Sequence, residues 1–219
     1  MKRIFDFSLA LLGLFISFPL WAMFALLIWL EDRRHIFYLQ ERVGLAGQVF
    51  KSIKFRSMIC SAEEDVGPLQ SYEGDPRVTR LGRLLRATAM DELPQLWNIL
   101  KGEMSFVGPR ALRPLEIDGP DNKIRDIRDF PGFSKRCSIR PGLTGVAQVL
   151  APRDISRHEK FRYDIWYIDN QNLWLDIKLI AFSFLVTFSG RWEAKFRGFR
   201  PLTESFRKRV ICEISQSGV

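Results

Sequence analysis

Asp91 and Glu92 stand side by side and are followed at once by Leu93-Pro94. Upstream, Arg77, Arg80, Arg83 and Arg86 recur at every third position, with Lys54 and Arg56 earlier still; downstream comes Gly108-Pro109-Arg110. Proline suits the first turn of a helix and no later one, so the two carboxylates belong at or just before a helix N-terminus. There the dipole and the free N–H groups favour anions and lower a carboxylate's pKa. Adjacent helical residues do not face each other, so the pair holds two jobs rather than sharing a proton. One can attack or bind metal while the other orients it. A carboxylate pair ringed by Arg and Lys suits a Mg2+–pyrophosphate ligand: the carboxylates hold the metal and the cations hold the phosphates. Each feature alone has a plainer reading. Asp91 can be an N-cap, and the arginines can be a solvated basic face.

The elements that must carry these residues fit in 219 residues, room for one domain or at most two small ones. Hydrophobic residues at 47% and charged residues at 26% exclude wholesale disorder. The net charge of +8 suggests a partner with phosphates: nucleic acid, a nucleotide or an anionic membrane. A mean hydropathy of -0.06 is too polar for a multi-span membrane protein. Cys60, Cys137 and Cys212 form neither a disulfide framework nor a zinc spacing, and a count of two histidines argues against a zinc enzyme. Walker and dinucleotide-binding glycine patterns are absent.

From Phe7 to Leu30 there are 24 residues without a charge, about 36 Å as a helix, enough to cross a bilayer core of about 30 Å. The run is too long for a cleaved signal peptide. Lys2 and Arg3 flank one end, Arg33 and Arg34 the other, and the positive-inside rule draws both to the cytoplasm. Pro19 removes a backbone hydrogen bond mid-run and kinks the helix, and Ser17 can bond a freed carbonyl. A re-entrant hairpin is therefore preferred to a straight span. Asp6, at the apolar edge, is expected to pair with Arg3.

Along the rest of the chain, 36–59 reads as strands, 61–79 as loop or short helix, and Arg80–Leu100 as helix broken at Pro94. Residues 118–132 read as an exposed helix or loop, Val146–Leu150 as a strand, and Ile155–Asn170 as a helix. Leu179–Phe188 is too short to span and suits a helix that is buried or lies among headgroups. Residues 190–219 carry seven Lys/Arg against three Asp/Glu, interleaved with Trp192, Phe196, Phe199 and Phe206. That composition suits an anionic bilayer surface, or alternatively a solvated basic tail.

The ordered blocks resemble the bacterial sugar transferase family, the monotopic polyprenyl-phosphate phosphoglycosyl transferases. They run from Lys2-Arg3, Asp6, Leu9-Ala10 and Pro19 through Gln40-Glu41-Arg42-Val43-Gly44 and Lys54-Phe55-Arg56-Ser57-Met58. Asp75-Pro76-Arg77, Thr79, Gly82 and Arg86 follow. The most specific blocks are Asp91-Glu92-Leu93-Pro94-Gln95-Leu96, Asn98 and the Gly102–Arg110 run. Arg140-Pro141-Gly142-Leu143-Thr144-Gly145, Gln148, Asp164, Tyr167 and Asn170 complete the set.

The resemblance implies an α+β protein: a re-entrant membrane helix with its flanks (1–34) on a cytosolic catalytic domain (35–219) of helices and short strands, with interfacial amphipathic helices. It implies transfer of a sugar-1-phosphate from a UDP-sugar to polyprenyl (undecaprenyl) phosphate, with release of UMP, at the cytoplasmic face of the bacterial inner membrane. Asp91 would be the nucleophile, and Glu92 would position it. Both would bind Mg2+. Lys54, Arg86, Arg110 and Arg140 would hold phosphate or nucleotide, and Asp164 is a further substrate contact. The partners implied are the UDP-sugar, the polyprenyl phosphate and inner-membrane lipid, with no nucleic acid; a homodimer is left open.

Ser57 replaces the family's usual Thr, and Phe18 the usual Ser before the membrane proline. Ala111-Leu112-Arg113-Pro114 and Val149-Leu150-Ala151-Pro152-Arg153 also diverge, and these two loops are expected to touch the sugar or nucleotide. Larger relatives carry further spans and a domain before this core, so the chain reads as the minimal form. Two other readings use the same residues: a membrane-anchored binder of anionic lipid or nucleic acid, and a Mg2+-dependent phosphohydrolase.

Overall fold

The computed structural model describes residues 1–60, 62, 72, 74–118, 123–151, 155–188 and 200–216. The order is α1 (Lys2–Asp32), β1 (Phe37–Val43), β2 (Val49–Phe55), α2 (Arg80–Ala87), α3 (Gln95–Lys101), β3 (Ser105–Val107), β4 (Leu115–Asp118) and β5 (Lys123–Asp126). Then come α4 (Phe133–Arg136), β6 (Gly142–Thr144), α5 (Val146–Leu150), α6 (Arg157–Asn170), α7 (Leu173–Phe188) and α8 (Arg200–Gln216). The mixture of helices and short strand pairs matches the α+β expectation. β1 and β2 are antiparallel, with Phe37 opposite Phe55. β3 and β6 are parallel, with Ser105 opposite Gly142.

The main core gathers around β3. Met104 and Val107 pack with Ile99 of α3, Val146 of α5, Tyr167 of α6 and Leu179 of α7, all at most 1% exposed. Burying side chains of this size contributes about 1.5–3 kcal/mol each. The Val146–Leu150 run is a helix, not a strand. Val146, Val149 and Leu150 have helical spacing and are all buried, and a short apolar run does not distinguish the two states. The 118–132 region is also corrected. β4 and β5 pair antiparallel from Leu115–Asp126 to Asp118–Lys123, and a 3-10 turn follows at Ile127–Asp129.

Among the described residues α1 is the one helix long and apolar enough to cross a membrane. It continues through Pro19 as a single helix. Its outward face is apolar, with Phe15, Ile16 and Phe18 all exposed. Both ends grip the same body. At the C-terminal end Phe24 and Ile28 pack with Phe55 and Leu85, and Asp32 pairs with Arg56. Arg56, expected to serve phosphate, is therefore engaged with α1. At the N-terminal end Lys2 Nζ reaches Asp176 of α7 at 2.5 Å and the Tyr167 hydroxyl at 3.2 Å.

Asp6 does not pair with Arg3. Its carboxylate accepts the Ser105 hydroxyl at 2.8 Å and the Phe106 amide at 3.1 Å. Arg3 instead donates to the carbonyls of Ile99 and Leu100 in the last turn of α3, where helical partners run out. Each group finds the partner it needs across the interface rather than along its own helix. Nor does the Ser17 hydroxyl relieve Pro19, for it is buried without a hydrogen-bond partner among the described residues. Proline at 19 frees the carbonyl of Phe15, whereas a serine at 17 back-bonds to residues 13 or 14, so the register is wrong.

In α7, Leu175 and Leu179 face the core, as expected for a buried helix, while Trp174, Ile177, Phe184 and Leu185 are exposed. The basic tail is partly reassigned. Phe206 of α8 packs between Trp166 and Phe182, and Val210 and Ile214 enter the main core. Trp192, Phe196 and Phe199 lie outside the described residues.

Candidate active site

The sequence's carboxylate pair sits on a 3-10 turn, Met90–Glu92, between α2 and α3. The turn is entered through Ala89 in the left-handed region (φ 55), a conformation that costs a non-glycine residue energy and recurs at functional sites. Pro94 precedes the first turn of α3, as its ring requires. Asp91 is not the N-cap of that helix: Pro94 holds the position, and no side chain caps it.

Three elements bring cations to this turn. Lys54 comes from the end of β2, which α3 clamps through fully buried Asn98. The Asn98 oxygen accepts the Ile53 amide at 3.0 Å, and its nitrogen donates to the Lys51 carbonyl at 2.8 Å and to Glu103 at 2.7 Å. Arg86 comes from the last turn of α2. Thr79 caps that helix by accepting the Gly82 amide at 2.9 Å, and a Cβ at Gly82 would stand 2.0 Å from the Ser57 carbonyl, so only glycine lets α2 approach. Arg86 Nε then donates to the Ser57 hydroxyl at 2.8 Å. Arg110 comes from the loop after β3, where a Cβ at Gly108 would stand 2.4 Å from the Arg140 carbonyl oxygen.

These cations act unequally on the two carboxylates. Lys54 Nζ lies 2.5 Å from Glu92 Oε1, and Arg110 lies 3.8 Å from the same oxygen. Burial alone would raise Glu92, but Lys54 and Arg110, with help from Arg42, hold it down at about 2. Asp91 is 9% exposed, and no side chain among the described residues donates a hydrogen bond to it. Burial pushes its carboxyl up to about 6, against the pull of Lys54 and Arg86 and with the push of Glu92. The lowering expected from a helix N-terminus is outweighed by desolvation. One carboxylate is thus firmly ionised and paired, and the other is poised near neutrality.

The remaining candidates are less central. Arg140 Nε donates to the Gly102 carbonyl at 2.6 Å, closing the end of α3 that Arg3 also serves. Asp164 is buried and accepts a hydrogen bond from Arg136 Nε at 2.8 Å. Arg77 binds Asp75 through two nitrogens, and Arg80 and Arg83 are exposed, so of the four periodic arginines Arg86 alone turns to the carboxylates. Ala111 and Leu112, expected to touch sugar or nucleotide, are buried, Leu112 in a second core with Val43, Ile127 and Phe161. Pro152 and Arg153 of the other divergent loop lie outside the described residues.

Arg42 and Arg136 went unassigned in the sequence. For Arg42 a signal existed, since Gln40 and Arg42 share one face of a strand by period-two alternation. For Arg136 there was none.

No group of three or more His, Cys, Asp or Glu able to hold a metal exists among the described residues. Two adjacent carboxylates do fit Mg2+, which takes oxygen ligands and completes its shell with substrate phosphate and water.

The bacterial sugar transferase family model matches residues 1–190. A UDP-N-acetylgalactosamine-undecaprenyl-phosphate N-acetylgalactosaminephosphotransferase of Aeromonas hydrophila is 39% identical over 183 residues, covering 82% of this chain and 41% of the relative. A UDP-glucose:undecaprenyl-phosphate glucose-1-phosphate transferase of Caulobacter vibrioides is 39% identical over 184 residues, covering 82% of this chain and 66% of the relative. The exopolysaccharide production protein ExoY of Sinorhizobium fredii is 35% identical over 193 residues, covering 82% of this chain and 81% of the relative. The chain thus spans less than half of the Aeromonas protein and about two thirds of the Caulobacter one. On a match through nearly the whole described body, with the carboxylate turn and its cations inside it, the chain belongs to the bacterial sugar transferase family.

Proposed function

We propose that this chain transfers a sugar-1-phosphate from a UDP-sugar to polyprenyl (undecaprenyl) phosphate, releasing UMP and beginning the assembly of a bacterial glycan or exopolysaccharide. The observation that carries this reading is Asp91: buried, free of hydrogen bonds from any described side chain and raised to about 6, beside a Glu92 held ionised by Lys54 and Arg110. At pH 7 such a carboxyl is about nine-tenths ionised and only weakly solvated, as a nucleophile must be.

In the first step an Asp91 oxygen attacks the β-phosphorus of the UDP-sugar. The bond from that phosphorus to the bridging oxygen breaks, and UMP leaves with the oxygen. In the second step a phosphate oxygen of the polyprenyl phosphate attacks the acyl phosphate. The Asp91 carboxylate departs, and a lipid-linked diphosphosugar forms. Splitting one transfer in two is the gain from covalent catalysis. Lys54, Arg86 and Arg110 neutralise the phosphates, and Glu92 keeps Lys54 and Arg110 in place. Bound Mg2+, held by Asp91 and Glu92 with substrate oxygens, would add charge neutralisation on the diphosphate.

Residues 1–34 then form a re-entrant membrane anchor, and 35–219 lie at the cytoplasmic face of the inner membrane. The support is that Lys2 and Asp32, about 45 Å apart along an ideal helix, both bind one body. The relatives' names include N-acetylgalactosamine, glucose and galactose phosphate transferases at similar identities, so the sugar is set by local contacts rather than by overall likeness.

The test is the purified chain with a panel of UDP-sugars, Mg2+ and undecaprenyl phosphate, with UMP as the readout. The expected result is UMP with at least one sugar and lipid-dependent turnover. No UMP from any donor sinks the reading, and steady turnover without lipid points to a hydrolase.

A further inference from the structure

Arg136 ends α4 and is 4% exposed. Its Nε donates to Asp164, and its guanidinium lies 4.7 Å from the centre of the Phe161 ring. A terminal nitrogen of the same guanidinium donates to the main-chain carbonyl of Arg110. That carbonyl begins a run. The Ala111 carbonyl accepts from Arg42 at 2.9 Å, and the Leu112 carbonyl accepts the Val43 amide at 2.8 Å. Three consecutive carbonyls are held by donors from α4 and β1.

From this held backbone the Arg110 side chain, itself 50% exposed, reaches toward Glu92. A long, half-exposed side chain loses its aim unless its backbone is fixed. A buried ion pair gains little net stability, because desolvation offsets the attraction. The Arg136–Asp164 pair therefore calls for a role beyond filling the core.

We propose that Arg136, fixed by Asp164, is a positioning residue for Arg110, setting the backbone from which that guanidinium meets the donor diphosphate beside Glu92. The inference rests on the phosphotransfer reading above. Asp164 then supports the site from behind without touching substrate.

Arg136→Lys keeps a cation for Asp164 but loses the planar fork that serves two acceptors at once. The experiment measures UMP-release kcat/KM for the full-length chain, with Arg136→Lys made both in the natural background and in Arg110→Ala. The expected result is a loss of about 10- to 100-fold in the natural background and of less than about threefold once Arg110 is gone, a coupling that a merely structural residue does not show. Asp164→Asn, tested the same way, should show the same coupling. Equal losses in both backgrounds, or no loss from either variant, overturn the proposal. So does loss of the melting transition in both variants, which would assign the pair to the core. Absence of UMP from the unsubstituted chain is seen before any variant is compared, and it would take the phosphotransfer reading down together with the inference.

Discussion

Two pairs of carboxylates lie in different parts of the body: the buried Asp6 and Asp176 where α1 meets it, and the buried Asp91 with the half-buried Glu92 on the turn before α3. Asp6 accepts from the Ser105 hydroxyl and the Phe106 amide, while Asp176 accepts from Lys2 and from the Tyr167 hydroxyl at 2.5 Å. Burial and the Asp176 bond push the Tyr167 phenol above its usual range, so it stays a donor. Both carboxylates in this region are fully occupied. In the other region Glu92 is occupied in the same way, but Asp91 is surrounded by charge without being hydrogen-bonded by any described side chain. Asp6, Asp176 and Asp91 are all enclosed by protein, yet the outcome differs. A satisfied carboxylate joins elements, and an unsatisfied one near neutral pKa is available for chemistry.

The sharpest way to break this contrast is to remove one carboxylate from each region. Asp91→Asn should lower UMP release by about 10³-fold or more and abolish the covalent phosphosugar, whereas Asp176→Asn should still form the adduct. A labelled adduct in the Asp91 variant would end the comparison. Next in size, Lys54→Met should cost about 10²-fold in UMP release, because Glu92 is left without its nearest cation and the phosphates lose one of theirs. Turnover within about threefold of the unsubstituted chain would move Lys54 out of the site.

On the anchoring side, Asp6→Ala strands the Phe106 amide and leaves the Ser105 hydroxyl only the Val107 carbonyl at 3.1 Å. It should lower unfolding stability by about 2–3 kcal/mol while the folded fraction keeps its turnover number. A melting midpoint unchanged by this substitution would contradict the structural role.

The smallest effects concern pH. UMP release should fall about tenfold per unit below about pH 6, as Asp91 becomes protonated, and an acid limb near pH 4 would refute its raised pKa. Ionising Asp91 is harder in the folded chain than in the unfolded one, so its contribution to stability is lost as pH rises from about 4 through about 6. Asp91→Asn should accordingly gain stability at pH 8 and little near pH 4, measured by denaturant titration.

Much of the site could be anticipated because its parts are local. Asp91, Glu92 and Pro94 declare a turn before a helix, and Gly82 and Gly108 mark close approaches of backbone, each within a few residues of a cation. What escaped is non-local. Nothing in spacing joins Arg136 to Asp164 or to Arg110, 28 and 26 residues away. The choice of Ser105 over Arg3 for Asp6 depends on which groups α3 and β3 leave unsatisfied, and that is known only after they pack. Val146–Leu150 is ambiguous for a different reason: a run this short and apolar satisfies helix and strand alike. The basic-aromatic tail misled because composition cannot say that Phe206 turns inward.

The two attachments of α1 also differ in how far apart they are along the chain. Asp32 meets Arg56 only 24 residues on, whereas Asp6 meets Ser105 across 99 residues and Lys2 meets Asp176 across 174. Loop closure is slower and costs more entropy as the loop lengthens. The helix therefore docks first at its Phe24–Ile28 end, and the Lys2–Asp176 contact closes last, once α7 has folded. A chain arrested before α7 would already hold the N-terminal end through Asp6–Ser105 and Arg3–α3 but would lack the Lys2–Asp176 contact, so the last of these contacts to form is also the one that reports a docked α7.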